Sequence, residues 1–431
     1  MQGSTPSGQF VFEAPETEPV GSVLFEEHLK LTAKARMSPF AGYVMPLWYS
    51  SIAAEHRAVR ETAGLFDCTH MGVLEFSGGG AAGLLNVATT NDVGKLAVGR
   101  AQYGYVLDAA GDVLDDIIIY RRGEQLFMVV VNAANEPKVK AYFRELLAGR
   151  VVIEVEPNRN GLEPCEPCII RDMRNTSSGA DCRVDIALQG PAALDVLARL
   201  AGDEATAGRL SGLKSFALAE VSLGGIDCVV STTGYTGAKV AFELFVHPDQ
   251  APHLWNLVLE AGEPSGALPC GLGARDSLRI EAGLPLYGHE LDGKFAITPF
   301  QAGYGWAVKL DKTFFIGKKP MVRAAESYDM QVARVELPAT KGIRPVRQDD
   351  PVLDGQGTCV GWILSSAKVD EKQYALVYAA RDAMQEGAGC GVYYLARSES
   401  QVQQGRRQSV DKGQKVETDL AGTVVSRFAK F

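Results

Sequence analysis

Apolar and polar positions along the chain fall into stretches of two kinds, one with helical spacing and one alternating every second residue, and the order of those stretches predicts the fold. Order begins near "SVLFEEHLKLTAKA" at residue 22, after a polar and acidic stretch that reads as a flexible tail over 1–22. "IAAEHRAVRETAGLFD", residues 52–67, predicts a helix with Ala53, Val59 and Ala63 turned inward and Gly64 as its C-terminal stop. Three extended runs come later: "AQYGYVLD" leads through "AAGD" into "VLDDIIIY", and "RRGEQ" leads into "LFMVVV". Such short links join antiparallel neighbours, because a parallel crossover takes a dozen residues or more. "EPKVKAYFRELLAG" closes this region as an amphipathic helix with Val139, Tyr142, Phe143 and Leu146 on one side. Helices on one face of an antiparallel sheet make an α+β layer.

The pattern lapses over 156–185, "EPNRNGLEPCEPCIIRDMRNTSSGADCRVD", which reads as a long surface loop. It resumes with a strand, a Gly-Pro turn and a helix in "IALQGPAALDVLARLAG", with strands in "SFALAEVSLGGIDCVVSTTGYTG", and with two helices separated by Pro269 and Gly271. After "KKPMVRAAES" only short β runs remain ("MQVARVEL", "CVGWILSS", "QYALVYAA", "GVYYLA"). They predict an all-β module beyond a boundary near residue 325.

One local motif competes with this reading. Gly78, Gly80 and Gly83 spell G-x-G-x-x-G after the apolar run "MGVLEF". A dinucleotide site needs a parallel second strand after the helix, and the hairpin spacing that follows denies it. The glycines are therefore expected to form a strand-to-helix turn.

Composition narrows the class. At 431 residues the chain is long enough for two or three domains, and 46% hydrophobic with 22% charged residues is the profile of a globular protein. A formal net charge of -9 disfavours nucleic acid and anionic membranes as partners, and no apolar run reaches the length of a membrane helix. Eight scattered cysteines, without the density of a secreted disulfide scaffold, point to a reducing, cytoplasmic home. "CEPC" at 165–168 with Cys182 falls short of a four-ligand zinc set, so no metal is expected.

Two clusters of charge carry candidate chemistry. "VLDDIIIY" puts Asp115 and Asp116 in an otherwise apolar strand, so one of them points to a buried face, where a carboxylate needs a partner or a task. Asp115 reads as a turn cap, and for Asp116 periodicity alone leaves a turn cap and a functional acid equally open. "GLGARDSLRIE" sets Arg275 and Arg279 four apart on one helix face, beside Asp276 and Glu281, which by itself reads as a solvated ion-pair ladder.

Taken in order, "FAGYVMPLWY", "EHRAVRETAGLFDCTHMG", "NDVGKLAVGRAQYGYVLDAAGDVLDD", "VVNAAN", "LQGP", "TTGYTG", "PCGLGARDSLRIEAGLPLYG" and "FIGKK" resemble the T-protein of the glycine cleavage system, the aminomethyltransferase family. The resemblance runs from about residue 38 to 319. It implies an α+β fold in a three-domain ring with a ferredoxin-like domain and a C-terminal antiparallel β-barrel, here a folate-binding catalytic region over 23–325 and a barrel over 326–431. It also implies a transferase of glycine catabolism and one-carbon metabolism. That enzyme passes a one-carbon unit from an aminomethyl-dihydrolipoyl carrier, the H-protein, to tetrahydrofolate as co-substrate and releases ammonia. By the same resemblance Asp116 is the acid beside the folate amines, Tyr103 and Asn132 line its pocket, Tyr235 and Glu243 hold the pterin, and Arg275 fixes the folate. A folate-dependent demethylase of a small S-, N- or O-methyl compound is the alternative within the family. Three departures bear on the donor's entrance: "TGYTGAKVAFEL" is one residue longer than the family's pattern and lacks its acidic turn, 156–185 is long, and the chain ends in "SRFAKF".

Overall fold

The computed structural model describes residues 10–15, 17–154, 159–160 and 166–431, with backbone alone at 159–160. Two compact units emerge. The first holds the described residues up to Gly234, Ala238–Arg275 and Ala307–Arg323, and the second holds Tyr235–Gly237, Asp276–Trp306 and Ala324–Phe431.

The first unit contains two sheets. In one, the strands Ile169–Asp172, Gly72–Ser77, Leu126–Val131, Val113–Gly123 and Arg100–Leu107 lie side by side, all antiparallel. The other runs Leu218–Leu223, Ile226–Ser231, Ala241–Val246, Val184–Gln189, Gly64–Asp67 and Leu268–Cys270, parallel only in its last pair. Side chains on a strand alternate between faces, and here both faces are covered. Ile117, Ile119, Phe127 and Val129 pack on Leu84 and Leu85 of the helix Ala81–Ala88 and on Val139, Tyr142 and Phe143 of the helix Glu136–Leu147. In the second sheet Ile186, Leu188, Phe242 and Leu244 meet Val196 and Leu197 of the helix Ala193–Leu200 and Leu254, Trp255 and Val258 of the helix Ala251–Gly262. The opposite faces meet each other: Val73, Tyr120, Met128 and Val130 from the first sheet join Leu218, Val229 and Phe245 from the second in one buried cluster. Each large apolar side chain so buried contributes about 1.5–3 kcal/mol, which is why register in these strands is firmly set.

The antiparallel ladder excludes the crossover a dinucleotide fold requires, and the glycine turn has another use. Gly78 takes φ +102°, and the Gly80 amide donates to the Pro167 carbonyl at 3.2 Å. A Cβ on Gly80 would lie 1.9 Å from the Glu166 carbonyl oxygen. The turn's amide thus serves the passing chain where a phosphate would otherwise sit.

Several expectations are corrected. In the stretch expected as tail, Val20–Gly21 pairs in parallel with Tyr43 and Val44, and Phe10 stacks edge-on against Tyr142 at 5.1 Å. The helix at 52–61 exposes Ala53 and buries Ala58 and Val59, and Gly64 opens a strand. Within 156–185, Ile169–Asp172 is an edge strand on Gly72–Ser77, with Arg171 directly opposite Glu75 and paired to it at 2.6 Å. Four residues between prolines and asparagines are too few to show an alternation. Cys165 of "CEPC" lies outside the described residues, and Cys182 is buried and bonded to the Asn175 carbonyl.

In the second unit six antiparallel strands close into a barrel in the order Met330–Pro338, Lys372–Ala380, Cys359–Val369, Pro351–Leu353, Gly389–Val392 and Leu420–Val425. Closure leaves no open edge. The region expected as 23–325 is divided, since 276–306 belongs with the barrel. Arg279 is no solvated ladder rung: it is 1% exposed and paired with Glu290 at 2.7 Å, and Glu290 also takes the Ser365 hydroxyl.

The glycine turn makes a two-sided stability prediction. Gly80→Ala forces a methyl into the 166–167 backbone and should cost about 1–3 kcal/mol. Gly83→Ala, on an open helical surface with nothing within 4 Å, should add about 0.5–1 kcal/mol. Urea unfolding of the two variants beside wild type gives the signs, and equal effects would mean the turn tolerates a side chain.

Candidate active site

Alternation sends the two aspartates of Val113–Gly123 to opposite faces, and neither face is open solvent. Asp115 joins Ile117 and Ile119 under the helices and is fully buried. It accepts from the Asn132 backbone N–H at 3.0 Å, from Asn132 Nδ2 at 2.9 Å and from Asn135 Nδ2 at 2.6 Å. The expected turn cap is thus a buried anchor for the segment after Leu126–Val131. Burial, and then the charge of Asp116, push Asp115 up to about 8.

Asp116 points the other way, with Ile118 and Tyr120, into the space between the sheets, and is half-buried. The Tyr103 hydroxyl donates to its Oδ2 at 3.0 Å, and Asn132 Nδ2 donates to its Oδ1 at 2.8 Å. Burial raises its pKa, while these two donors and the Arg275 charge pull it back. Three residues named from the sequence, Tyr103, Asp116 and Asn132, therefore form one bonded group.

Glu243 reaches the same space from the second sheet. Its strand neighbours Phe242 and Leu244 are buried against the helices, so Glu243 must face inward. The Tyr120 hydroxyl donates to Oε2 across the two sheets at 2.7 Å, and the Thr233 hydroxyl donates to the same oxygen. Behind Thr233 lies Ser231 at 3.0 Å. Among the described residues Oε1 takes no hydrogen bond, which leaves it to accept from a ligand. Burial raises Glu243, opposed by Thr233, Tyr120 and Arg275.

Arg275, in the first turn of the helix Leu272–Ala282, is the cation that acts on both acids. It also helps burial to push His70 down to about 3, so that this fully buried imidazole is neutral. Tyr235 falls in the second unit, where its hydroxyl donates to the Pro285 carbonyl at 2.6 Å. The first unit thus brings together Tyr103, Asp116, Asn132, Glu243 and Arg275.

Tyr120, Thr233, Asn135 and Asp185 were not singled out from the sequence. Tyr120 shares parity with Asp116 four residues earlier, and Asp185 is a lone acid in the apolar strand "VDIALQ", so a signal existed for both. Chemically, the arrangement offers two inward carboxylates on facing sheets, each held by hydroxyl or amide donors, with a guanidinium between their fields. It suits a ligand that presents N–H donors at one end and a reacting amine at the other.

Comparison with known proteins identifies relatives over most of the chain. The family described as GCVT N-terminal domain matches residues 25–312. A protein named aminomethyltransferase from Exiguobacterium sibiricum is 40% identical over 329 residues, 76% of this chain and 81% of its own. One of the same name from Symbiobacterium thermophilum is 42% identical over 361 residues, 82% of this chain and 88% of its own. The crystal structure of glycine cleavage system aminomethyltransferase T from Bartonella henselae superposes with a TM-score of 0.73 at 28% identity, covering 95% of this chain and 97% of that one.

Asp115→Asn should cost about 1–3 kcal/mol, since its amide nitrogen turns N–H groups toward N–H donors at a place where a carboxyl oxygen, protonated or not, can accept. The folded carboxyl holds its proton up to about 8 and the unfolded one releases it near 4, so wild type gains stability from this group on the acid side and loses it as pH rises. The cost of Asn should therefore be larger at about pH 5 than at about pH 9. Urea titrations at the two pH values test this, and a cost that grows toward alkali would reverse the assignment.

Proposed function

The chain belongs to the aminomethyltransferase family of the glycine cleavage T-proteins, and from that footing we propose how its residues carry the reaction and with which partners. It is a transferase. The donor is an aminomethyl group held as a thioether on the dihydrolipoyl arm of a carrier protein, and the acceptor is tetrahydrofolate. The methylene carbon loses its bonds to sulfur and to nitrogen and gains bonds to two folate nitrogens. The two folate N–H protons go to the departing thiolate and amine, which leave as thiol and ammonia.

The pairing of Asp116 and Glu243 on facing sheets is the observation that carries this reading. A pterin edge presents an amino group and a ring N–H side by side, which one carboxylate can accept together, and Glu243 with Oε1 uncommitted suits that task. Asp116, steadied by Tyr103 and Asn132, orients the attacking folate amine and stabilises the iminium-like cation that develops as ammonia leaves. Arg275 balances part of the negative charge and holds the folate. Most of the acceleration comes from holding two reactants in place, worth up to roughly 7–11 kcal/mol. No observation favours the demethylase alternative. Among the described residues no helix is long and apolar enough to cross a membrane. Cytoplasmic residence, like the carrier, is part of the proposal.

Asp116→Asn keeps the shape and removes the charge, and should lower turnover on the order of 10²-fold in an assay of ammonia and methylenetetrahydrofolate from the loaded carrier. Unimpaired turnover would remove Asp116 from the chemistry. Glu243→Gln can still accept both hydroxyls but turns an N–H toward the pterin, so tetrahydrofolate should bind roughly ten- to a hundredfold more weakly by calorimetry. Equal affinities would assign the pterin to another acid.

A further inference from the structure

Among the described residues, two carboxylates on the inner faces of the sheets are taken up by arginines, Glu75 by Arg171 and Glu220 by Arg122. Asp116, Glu243 and Asp185 also face inward, and the reading above uses Asp116 and Glu243. Asp185 is 1% exposed, and among the described residues its Oδ1 has no hydrogen-bond partner. A buried polar oxygen left unbonded is rare in native proteins, and a buried ionised carboxylate without donors is costly.

Strand register fixes its place. Ala187 stands directly opposite Glu243, so Asp185, two residues earlier on the same face, is diagonal to Glu243 and within side-chain reach. Val184, Ile186 and Leu188 are held in the helix-facing core, which leaves Asp185 no other direction. The charged and titratable groups that face this pair come from several elements. Tyr120 stands on Val113–Gly123, Cys68 follows Gly64–Asp67, Asp67 acts from the opposite side of its sheet, and Arg275 comes from the helix Leu272–Ala282. Arg275 is the cation whose field reaches Asp116, Asp185 and Glu243 alike, and one positive charge does not balance three negative ones. Such an imbalance favours a proton on one of the three, and Asp116, which accepts from Tyr103 and Asn132, is held toward its ionised form.

Hydrogen bonding decides which of the diagonal pair it is. Glu243 Oε2 accepts two hydroxyls, an arrangement that favours the ionised form, whereas Asp185 Oδ1 accepts nothing from the described residues. We propose that Asp185 stands as a neutral carboxylic acid whose proton lets Glu243 remain ionised beside it, which makes Asp185 a positioning residue for the pterin edge. Burial followed by the charges of Glu243 and Asp67 pushes Asp185 in the same direction. The functional half of this assignment rests on the folate reading of Glu243, and the carboxyl pair itself does not.

Carbon-13 NMR of carboxyl-labelled protein without folate tests the pair directly, with the Asp185 signal identified by its loss in Asp185→Asn. Asp185 should remain protonated through neutral pH, and its midpoint should fall by at least about one unit in Glu243→Gln, where the neighbouring charge is removed at constant shape. Asp185 titrating near pH 4, or a midpoint indifferent to Glu243→Gln, would overturn the proposal. Tetrahydrofolate affinity followed across the same range should change about the Asp185 midpoint in wild type and stay level in Asp185→Asn. A level wild-type profile overturns the positioning role. If Asp185 titrates as proposed and wild type binds no folate at any pH, the carboxyl pair stands and the folate reading fails.

Discussion

The hydrogen bond from Tyr120 to Glu243 joins two sheets, and the site depends on the packing that brings those two residues together. Around it the inner faces are apolar, with Met128 and Val130 on one side and Val229 and Phe245 on the other. The Tyr120 ring belongs to that cluster and lies edge-on against Phe245 at 5.3 Å, while its hydroxyl belongs to the polar group. One residue therefore ends the apolar contact and begins the site. A carboxylate at that margin is desolvated enough to bind N–H donors strongly, and hydroxyls on its far oxygen offset part of the cost of keeping it charged.

The two aspartates of Val113–Gly123 divide the work along the same line. Asp115 is buried on the helix side and grips Asn132 and Asn135, and Asn132 in turn donates to Asp116 on the other side of the sheet. Asn132 is thus clamped between two carboxylates of one strand, and the position of the inner acid is set by the buried outer one. A loss at Asp115 reaches the site through Asn132 with no contact to any ligand.

Much of this was legible in the sequence, for a physical reason. Period two assigns faces, so Asp116 and Glu243 could be placed on one side of their strands, and Val139, Tyr142, Phe143 and Leu146 on one side of a helix, without coordinates. Alternation does not say what covers each face. Asp115 read as a turn cap because nothing local announces that both sides of its strand are packed. Ile169–Asp172 hid in a polar stretch because an edge strand of four residues, carrying Arg171 against Glu75, needs little apolar character. Thr233 and Tyr120 are tied to Glu243 across 10 and 123 residues of chain, and a contact of the longer kind leaves no trace in spacing. The G-x-G-x-x-G turn misleads in the opposite sense, since a local motif is fully present while Pro167 takes up its amide.

The turn before Glu243 shows how the same constraint protects the site from variation in length. The ladder pairs Glu243 with Ala187 on one side and Ser231 on the other, and ends at Ala241 opposite Gln189, so residues 232–240 lie outside the paired strands. A slip of one residue inside the ladder would carry Phe242 and Leu244 out of the helix-facing core and put Glu243 into it. That exchange gives up two buried apolar side chains, about 1.5–3 kcal/mol each, and buries a carboxylate among Trp255, Leu254 and Val258. Relaxing a surface turn costs far less. The turn at 232–240 can therefore change in length and charge while the acid behind it keeps its face.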